Sequence, residues 1–305
     1  MGRKVTDQSD FLIRGVLSEP GIRFSLAETT DTVTTAVLVH DADPVAASLF
    51  GRAITSAALL VPLLEGDQKF TMRWEYEGLI GSLLVDVNSR AHIRGIPRES
   101  HLMAPATDER KLYGSGGRIS ILKSENGAIL NSGTAEAGLL EIVDDIGYFF
   151  STSYQIETEL VATLKFCPDP SSPVVVAAGF MLQAMPGCDL ERFAVIRTAL
   201  KSEAVRDVLG MPGMAWNRKF RGILELLPGC GHTPGSGFQP DISVDTAPPP
   251  SYTCSCSRDK MKNAVRLLGS EELAGIFRKQ EKTDVTCEFC NSRYAFSKED
   301  LDLTD

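Results

Sequence analysis

The chain has 305 residues, enough for two domains or for one large domain with a small appendage. Its 43% hydrophobic and 23% charged residues place it with globular proteins, and a formal net charge of −9 argues against bulk electrostatic binding to nucleic acid. Seven cysteines, and an opening MGRKVTDQSD without an apolar stretch, argue against a complete disulfide framework and a secretory signal. They point to a reducing cytoplasm, where clustered thiols bind metal or react. Gly2 and Thr6 match the N-myristoylation pattern, which is too short to carry weight.

From residue 20 to 182, short strand-like runs alternate with two helical runs. Val33 to Val39 is rich in β-branched residues and reads as a strand. Pro44 to Leu64, the most apolar run, contains Arg52 and Pro62; it reads as a buried helix and not as a membrane span. Phe70, Met72, Trp74 and Tyr76 alternate with Thr71, Arg73 and Glu75, the pattern of a half-buried strand. Leu79–Val87 and Ala91–Ile96 continue as strands, separated by Asn88 and Ser89. Ile119–Lys123 and Ile129–Asn131 flank Glu125-Asn126-Gly127, a hairpin signal. Leu139, Ile142, Val143, Ile146, Phe149 and Phe150 share a helical face, with Asp144 and Asp145 expected on its solvated side. Thr158–Phe166 and Val174–Leu182 are two more strands, with Pro168, Pro170 and Pro173 between them. Strand runs with inserted helices predict an α+β domain over 1–183.

The character changes after Pro186. Asp189 can cap a helix to Leu209, stopped by Gly210 and Pro212, and Trp216, Phe220, Ile223, Leu224 and Leu227 are spaced for a second amphipathic helix. No Lys or Arg occurs from Gly222 to Ser257, and Pro228–Pro250 is rich in Pro and Gly. Residues 184–250 therefore read as a linker, helical and then Pro/Gly-rich. The remainder, 251–305, is too small to build a sufficient core alone and needs a staple.

That staple is present in the thiols. Cys254 and Cys256 form a C-x-C pair, and Cys287 and Cys290 a C-x-x-C pair after thirty intervening residues. Two close thiol pairs in a small segment suit tetrahedral zinc, one ion per chain. Ser257 can cap a helix through Leu268, ended by Gly269; Ser270 can cap a second through Lys279; Tyr294 and Phe296 offer apolar cover. Four thiolates leave no open coordination position, so the site is not hydrolytic. Three uses remain open: a plain structural staple, a zinc ribbon touching nucleic acid, and a thiol–disulfide oxidoreductase motif. Residues 254–305 hold nine Lys/Arg against ten Asp/Glu, without a basic face that would favour nucleic acid.

The C-x-C pair is uncommon in zinc knuckles. Cys254-Ser-Cys256-Ser-Arg258, followed by Cys287-Glu-Phe-Cys290 with Tyr294 and Phe296, resembles the zinc domain of the heat-shock protein 33 (33-kDa chaperonin) family. The run Ala177-Ala-Gly-Phe-Met-Leu-Gln-Ala-Met-Pro186 and the stretch Ser48 to Gly95 resemble its N-terminal domain. The resemblance implies a redox-regulated, ATP-independent holdase that binds unfolding client proteins and dimerises on oxidative activation. It implies zinc ligands at Cys254, Cys256, Cys287 and Cys290 in the reduced state, and disulfides Cys254–Cys256 and Cys287–Cys290 in the oxidised one. The helices of 187–227 would then cover apolar surface, with Trp216, Phe220, Ile223 and Leu224 as candidate client-binding residues. Cys230 and His232, as Cys-Gly-His, depart from the pattern and read as incidental; Cys167 and Cys188 read as semi-buried thiols.

No other chemistry stands out. No Gly-Lys dipeptide exists for a phosphate-binding loop, and no Gly-x-Ser-x-Gly elbow for a hydrolase. Tyr113-Gly-Ser-Gly-Gly-Arg118 reads as a turn entering a strand, and His40, His92, His101 and His232 fall in no catalytic spacing. The expectation is a non-enzymatic protein, without nucleic acid or membrane as partner.

Overall fold

The computed structural model describes residues 10–103, 105, 107–231, 241–278 and 280–301, the side chain of Ser270 excepted. The pattern at Gly2 and Thr6, and His232, lie outside the described residues. Two compact units divide between Tyr252 and Thr253.

The first unit opens with β1 (Phe11–Leu17), β2 (Ile22–Glu28), α1 (Thr30–His40) and α2 (Pro44–Leu59). Then come β3 (Gln68–Tyr76), β4 (Ser82–Asn88), β5 (His92–Pro97), α3 (Glu109–Tyr113), β6 (Gly117–Glu125), β7 (Ala128–Glu136) and α4 (Ile142–Ser153). It closes with β8 (Thr158–Phe166), β9 (Val174–Ala184), α5 (Leu190–Leu200), α6 (Glu203–Leu209), α7 (Trp216–Leu226), β10 (Ile242–Ala247) and β11 (Ser251–Tyr252). The second unit holds α8 (Arg258–Arg266), α9 (Ser270–Phe277), β12 (Lys282–Thr286) and β13 (Arg293–Ser297). The α+β class expected from the sequence is the class found.

The first sheet has the order β10-β1-β2-β9-β8 and is antiparallel throughout. The second has the order β11-β5-β4-β3-β6-β7, with only β11 parallel to its neighbour. Helices α1, α2 and α4 lie between the sheets and join both inner faces in one core, which includes Phe50 and Ile54 of α2, Trp74 of β3 and Met181 of β9. Helix α2 is apolar nearly all round because it is covered on all sides. Pro44–Leu63 is apolar and long enough to cross a membrane, yet most of it is buried in this core. Asp43 starts it, accepting from the Ala46 N–H at 2.7 Å, with Pro44 in the first turn.

Helices α5, α6 and α7 pack on the opposite face of the first sheet. Phe220 of α7 stacks on Phe24 of β2, centroids 4.8 Å apart, and both rings neighbour Phe180 of β9. Asp189 caps α5 through the N–H groups of Glu191 and Arg192, as its position suggests.

Four readings from the sequence are corrected. Val33–Val39 lies in helix α1 and not in a strand. Val33, Ala36 and Val37 bury one side of it, and Asp10 accepts the N–H groups of Asp31 and Thr32 at its start, so tertiary capping overrides β-branched propensity. The single helix expected to Leu209 is two, because Ser202 caps a new start through the Val205 N–H. Leu139 precedes α4 and is exposed, while Asp145 is wholly buried, accepting from the Tyr76 hydroxyl at 2.8 Å and from the N–H groups of Leu139 and Glu141. Finally, the stretch 228–250 is more than a linker, since β10 adds an edge strand to the first sheet.

Candidate metal centre

In the second unit the two thiol pairs sit on different kinds of scaffold. Cys254 and Cys256 lie in the extended segment before α8; the Ser257 hydroxyl caps that helix through the Lys260 N–H, and the Lys260 ammonium donates to the Ser255 carbonyl at 2.6 Å. Cys287 and Cys290 occupy the turn of the β12–β13 hairpin. The Cys287 carbonyl accepts from the N–H groups of Cys290 (3.3 Å) and Asn291 (2.8 Å), and Asn291 takes a φ of 55° to close the turn. This bend brings both sulfurs of a C-x-x-C pair to one side.

The four Sγ atoms all lie within 4.8 Å of one another, so the group can hold a metal ion. Cys254 and Cys287 approach to 3.7 Å, and Cys256 and Cys290 to 3.4 Å. A tetrahedral zinc with Zn–S bonds of about 2.3 Å needs sulfur–sulfur edges of about 3.8 Å, so the donors and their spacing fit that ion. Among the described residues no other group of three or more His, Cys, Asp or Glu is gathered in this way.

Without a cation the thiols titrate unevenly. Burial, foremost, pushes Cys287 up to about 12. At Cys290 burial raises the thiol pKa but is outweighed by bonds from the Ser292 hydroxyl, the Ser292 backbone and the neighbouring thiols, and the value falls to about 7. The Tyr294 hydroxyl lies 3.2 Å from the Cys256 sulfur, and that bond, with burial behind it, raises Tyr294 to about 12. Tyr294 thus does more than the apolar cover read from the sequence. Phe296, by contrast, is fully buried with Val265, Leu273, Phe277 and Leu301, and the Arg258 guanidinium lies over its ring at 4.6 Å.

The remaining candidates lie in the first unit. Trp216 is partly exposed, whereas Phe220, Ile223 and Leu224 are buried against the sheet. Cys167 and Cys188 are half-buried; Cys230 is buried, its thiol pushed up to about 11 by burial. Sequence reasoning missed Lys219, whose ammonium is buried against Glu28, 191 positions away. A lone lysine on an amphipathic helix carries no signal of a partner so distant.

An α+β unit of two sheets with helices between and outside them, joined to a unit that gathers four thiols fit to hold a metal ion, defines the class of protein. The Hsp33 family model matches residues 10–297, and the chain belongs to the Hsp33 family, one of chaperones and not of enzymes. Similar curated proteins are the 33 kDa chaperonins of Geobacillus sp. strain WCH70, 29% identical with 96% of each chain covered, and of Bacillus velezensis, 28% identical with 96% of this chain and 97% of that one covered. The crystal structure of the 33 kDa chaperonin from Thermotoga maritima superposes with a TM-score of 0.77 over 97% of each chain, at 24% identity, a likeness of fold.

Proposed function

We propose that this chain is a redox-switched, ATP-independent holdase that protects unfolding proteins from aggregation. It is closed while Cys254, Cys256, Cys287 and Cys290 hold zinc and opens when they are oxidised. The observation that carries the reading is the gathering of four sulfurs within 4.8 Å, in a unit whose described core has five buried apolar residues. The name shared by the relatives, 33 kDa chaperonin, supports the chaperone half of it.

When bound, zinc supplies the long-range cross-link that so small a core lacks and holds the sulfurs as thiolates. Thiolates are the species that oxidants attack. With a peroxide as oxidant, each thiolate pair gives up two electrons and forms one S–S bond; the O–O bond breaks, and two protons complete two waters. Pairing Cys254 with Cys256 and Cys287 with Cys290 closes only very short loops. Such loops stabilise little, because the effect of a disulfide grows with the loop it closes. The second unit then unfolds.

Helices α5–α7 are the part of the first unit suited to respond. Their removal would uncover Phe24 and Phe180 and free Phe220, Ile223 and Leu224 beside the already part-exposed Trp216. Burial of the three residues of α7 contributes roughly 1.5–3 kcal/mol each, so the cover is stable but not irreversible. Residence in a normally reducing cytoplasm, with dimerisation on oxidative activation, belongs to the same reading.

The test follows thermal aggregation of a model client, with zinc release recorded in parallel, for reduced and peroxide-treated protein. Suppression only after oxidation, reversed by a thiol reductant, supports the switch. Zinc retained, or lost with no holdase activity, makes the thiols a structural staple. Turnover in insulin reduction would favour the oxidoreductase reading, and salt-dependent RNA binding the nucleic-acid one.

A further inference from the structure

Strand β10 is the outermost strand of the first sheet, paired with β1 from Leu17 opposite Ile242 to Leu12 opposite Ala247. Its side chains contribute little to the fold: Ser243, Val244, Asp245 and Thr246 are exposed, and only the terminal Ile242 and Ala247 are half-buried. Among the described residues, the ties beyond the backbone ladder are Ile242 and Ala247, packed against the cores at its two ends, and one ion pair, Arg14 to Asp245 at 3.3 Å, with both groups about half exposed or more. An exposed, salt-screened pair of this kind stabilises little. Strand β1 is different, since Leu12, Ile13 and Leu17 are buried and β2 holds its other edge. If β10 departs, β1 stays behind as a row of unpaired backbone donors and acceptors.

The edge is shaped for a backbone and has a pocket beside it. At Gly15 a Cβ would lie 2.0 Å from the Ser243 carbonyl oxygen, so the absence of a side chain lets the neighbouring strand lie flush on β1. A cavity of about 380 Å³ adjoins the β1–β10 pair; Phe24, Pro62, Met181 and Met185 form its apolar part, and Arg14, Arg23 and Asp245 also line it. Methionine thioethers adapt to side chains of different shape.

The strap is also placed to be released. Just past β10, the Tyr252 hydroxyl in β11 donates to the Gly95 carbonyl at 3.0 Å and lies 3.0 Å from His40 Nε2. Only Thr253 separates Tyr252 from Cys254 in the chain. The Tyr252 bonds and the short β5–β11 pairing hold the strap's end within the first unit, and unfolding of the second unit frees the chain immediately beyond that hold.

We propose that β10 is an internal stand-in for client: once it leaves, the β1 edge takes up an extended apolar segment of an unfolding protein by strand addition. The proposal rests on the holdase reading. Main-chain hydrogen bonding is the one interaction that every unfolded chain offers irrespective of sequence, and the adjoining pocket takes a single apolar side chain.

Hydrogen exchange on the full-length protein tests this, in the reduced, the oxidised and the oxidised client-bound states. The expected result is at least tenfold faster exchange of β1 and β10 amides after oxidation, with β1 alone re-protected at least tenfold by client. Client held while β1 keeps its reduced-state protection overturns the inference and leaves the holdase reading intact. Re-protection of β1 before client is added, through the strand of a second copy, overturns it too; no client held at all overturns both. As an independent check, Val244→Pro with Asp245→Pro removes one β1-facing donor whichever way the strand alternates. The reduced, metal-loaded variant should then expose β1 and bind client there; a variant that exposes β1 and gains no client contradicts the proposal.

Discussion

The Lys219 ammonium lies 2.8 Å from Glu28 Oε2, with the lysine side chain wholly buried. It also donates to the Leu209 carbonyl at 3.0 Å, so one cation ties α7 to β2 and to the end of α6. Breaking a buried pair by removing one partner costs about 3–5 kcal/mol, because the other charge stays buried without compensation. Lys219→Ala should lower stability by that amount in urea unfolding, and the reduced protein should suppress client aggregation without oxidant. The double variant Lys219→Met with Glu28→Gln should recover much of the loss. Equal stability of Lys219→Ala and the native chain would show that the pair does not hold the cover.

Cys287 is the most buried of the four thiols. Cys287→Ser should bring bound zinc well below one ion per chain. It should also abolish exchange protection in 253–305, since structural zinc contributes on the order of 10 kcal/mol to such units. The core between the two sheets of the first unit is separate from this and should keep its melting transition. Elemental analysis and hydrogen exchange check both halves.

Tyr294→Phe removes the hydroxyl 3.2 Å from the Cys256 sulfur and leaves the ring. Partners of metal ligands tune affinity by about 10–100-fold, so chelator competition should show zinc held at least about tenfold more weakly. Unchanged affinity would assign Tyr294 to packing alone.

Asp10 is buried, and burial raises its carboxyl from 3.8 to about 6 against the opposing bonds from Thr32 and Asp31. A raised acid binds its proton more tightly in the folded state. Its stabilisation is therefore complete below about pH 3.8 and is lost as pH rises through about 6. Relative to Asp10→Asn, the native chain should lose up to about 3 kcal/mol between pH 4 and 7, read from denaturant midpoints. A flat difference across that range would refute the assignment.

Much of the site was legible in the sequence, because its information is local. C-x-C and C-x-x-C spacing belongs to short segments, and Ser257 needs only the next turn to act as a cap. The strand pattern of Phe70–Tyr76 and the Asn126-Gly127 turn, with φ of 49° and 85°, are equally local. The Tyr294 hydroxyl was not legible, because its approach to Cys256 depends on how the hairpin meets the segment before α8.

By itself, then, the sequence determined the α+β class, most strand positions, the apolar faces of α4 and α7, and the four-thiol group. Each of these follows from period, cap or spacing within a few residues. Only the tertiary structure decided that Val33–Val39 is helical, that Asp145 is buried, that Lys219 meets Glu28, and that β10 borders β1. These depend on partners between 22 and 231 positions away or on burial from several elements at once, and no local pattern encodes contacts that chain folding alone brings together.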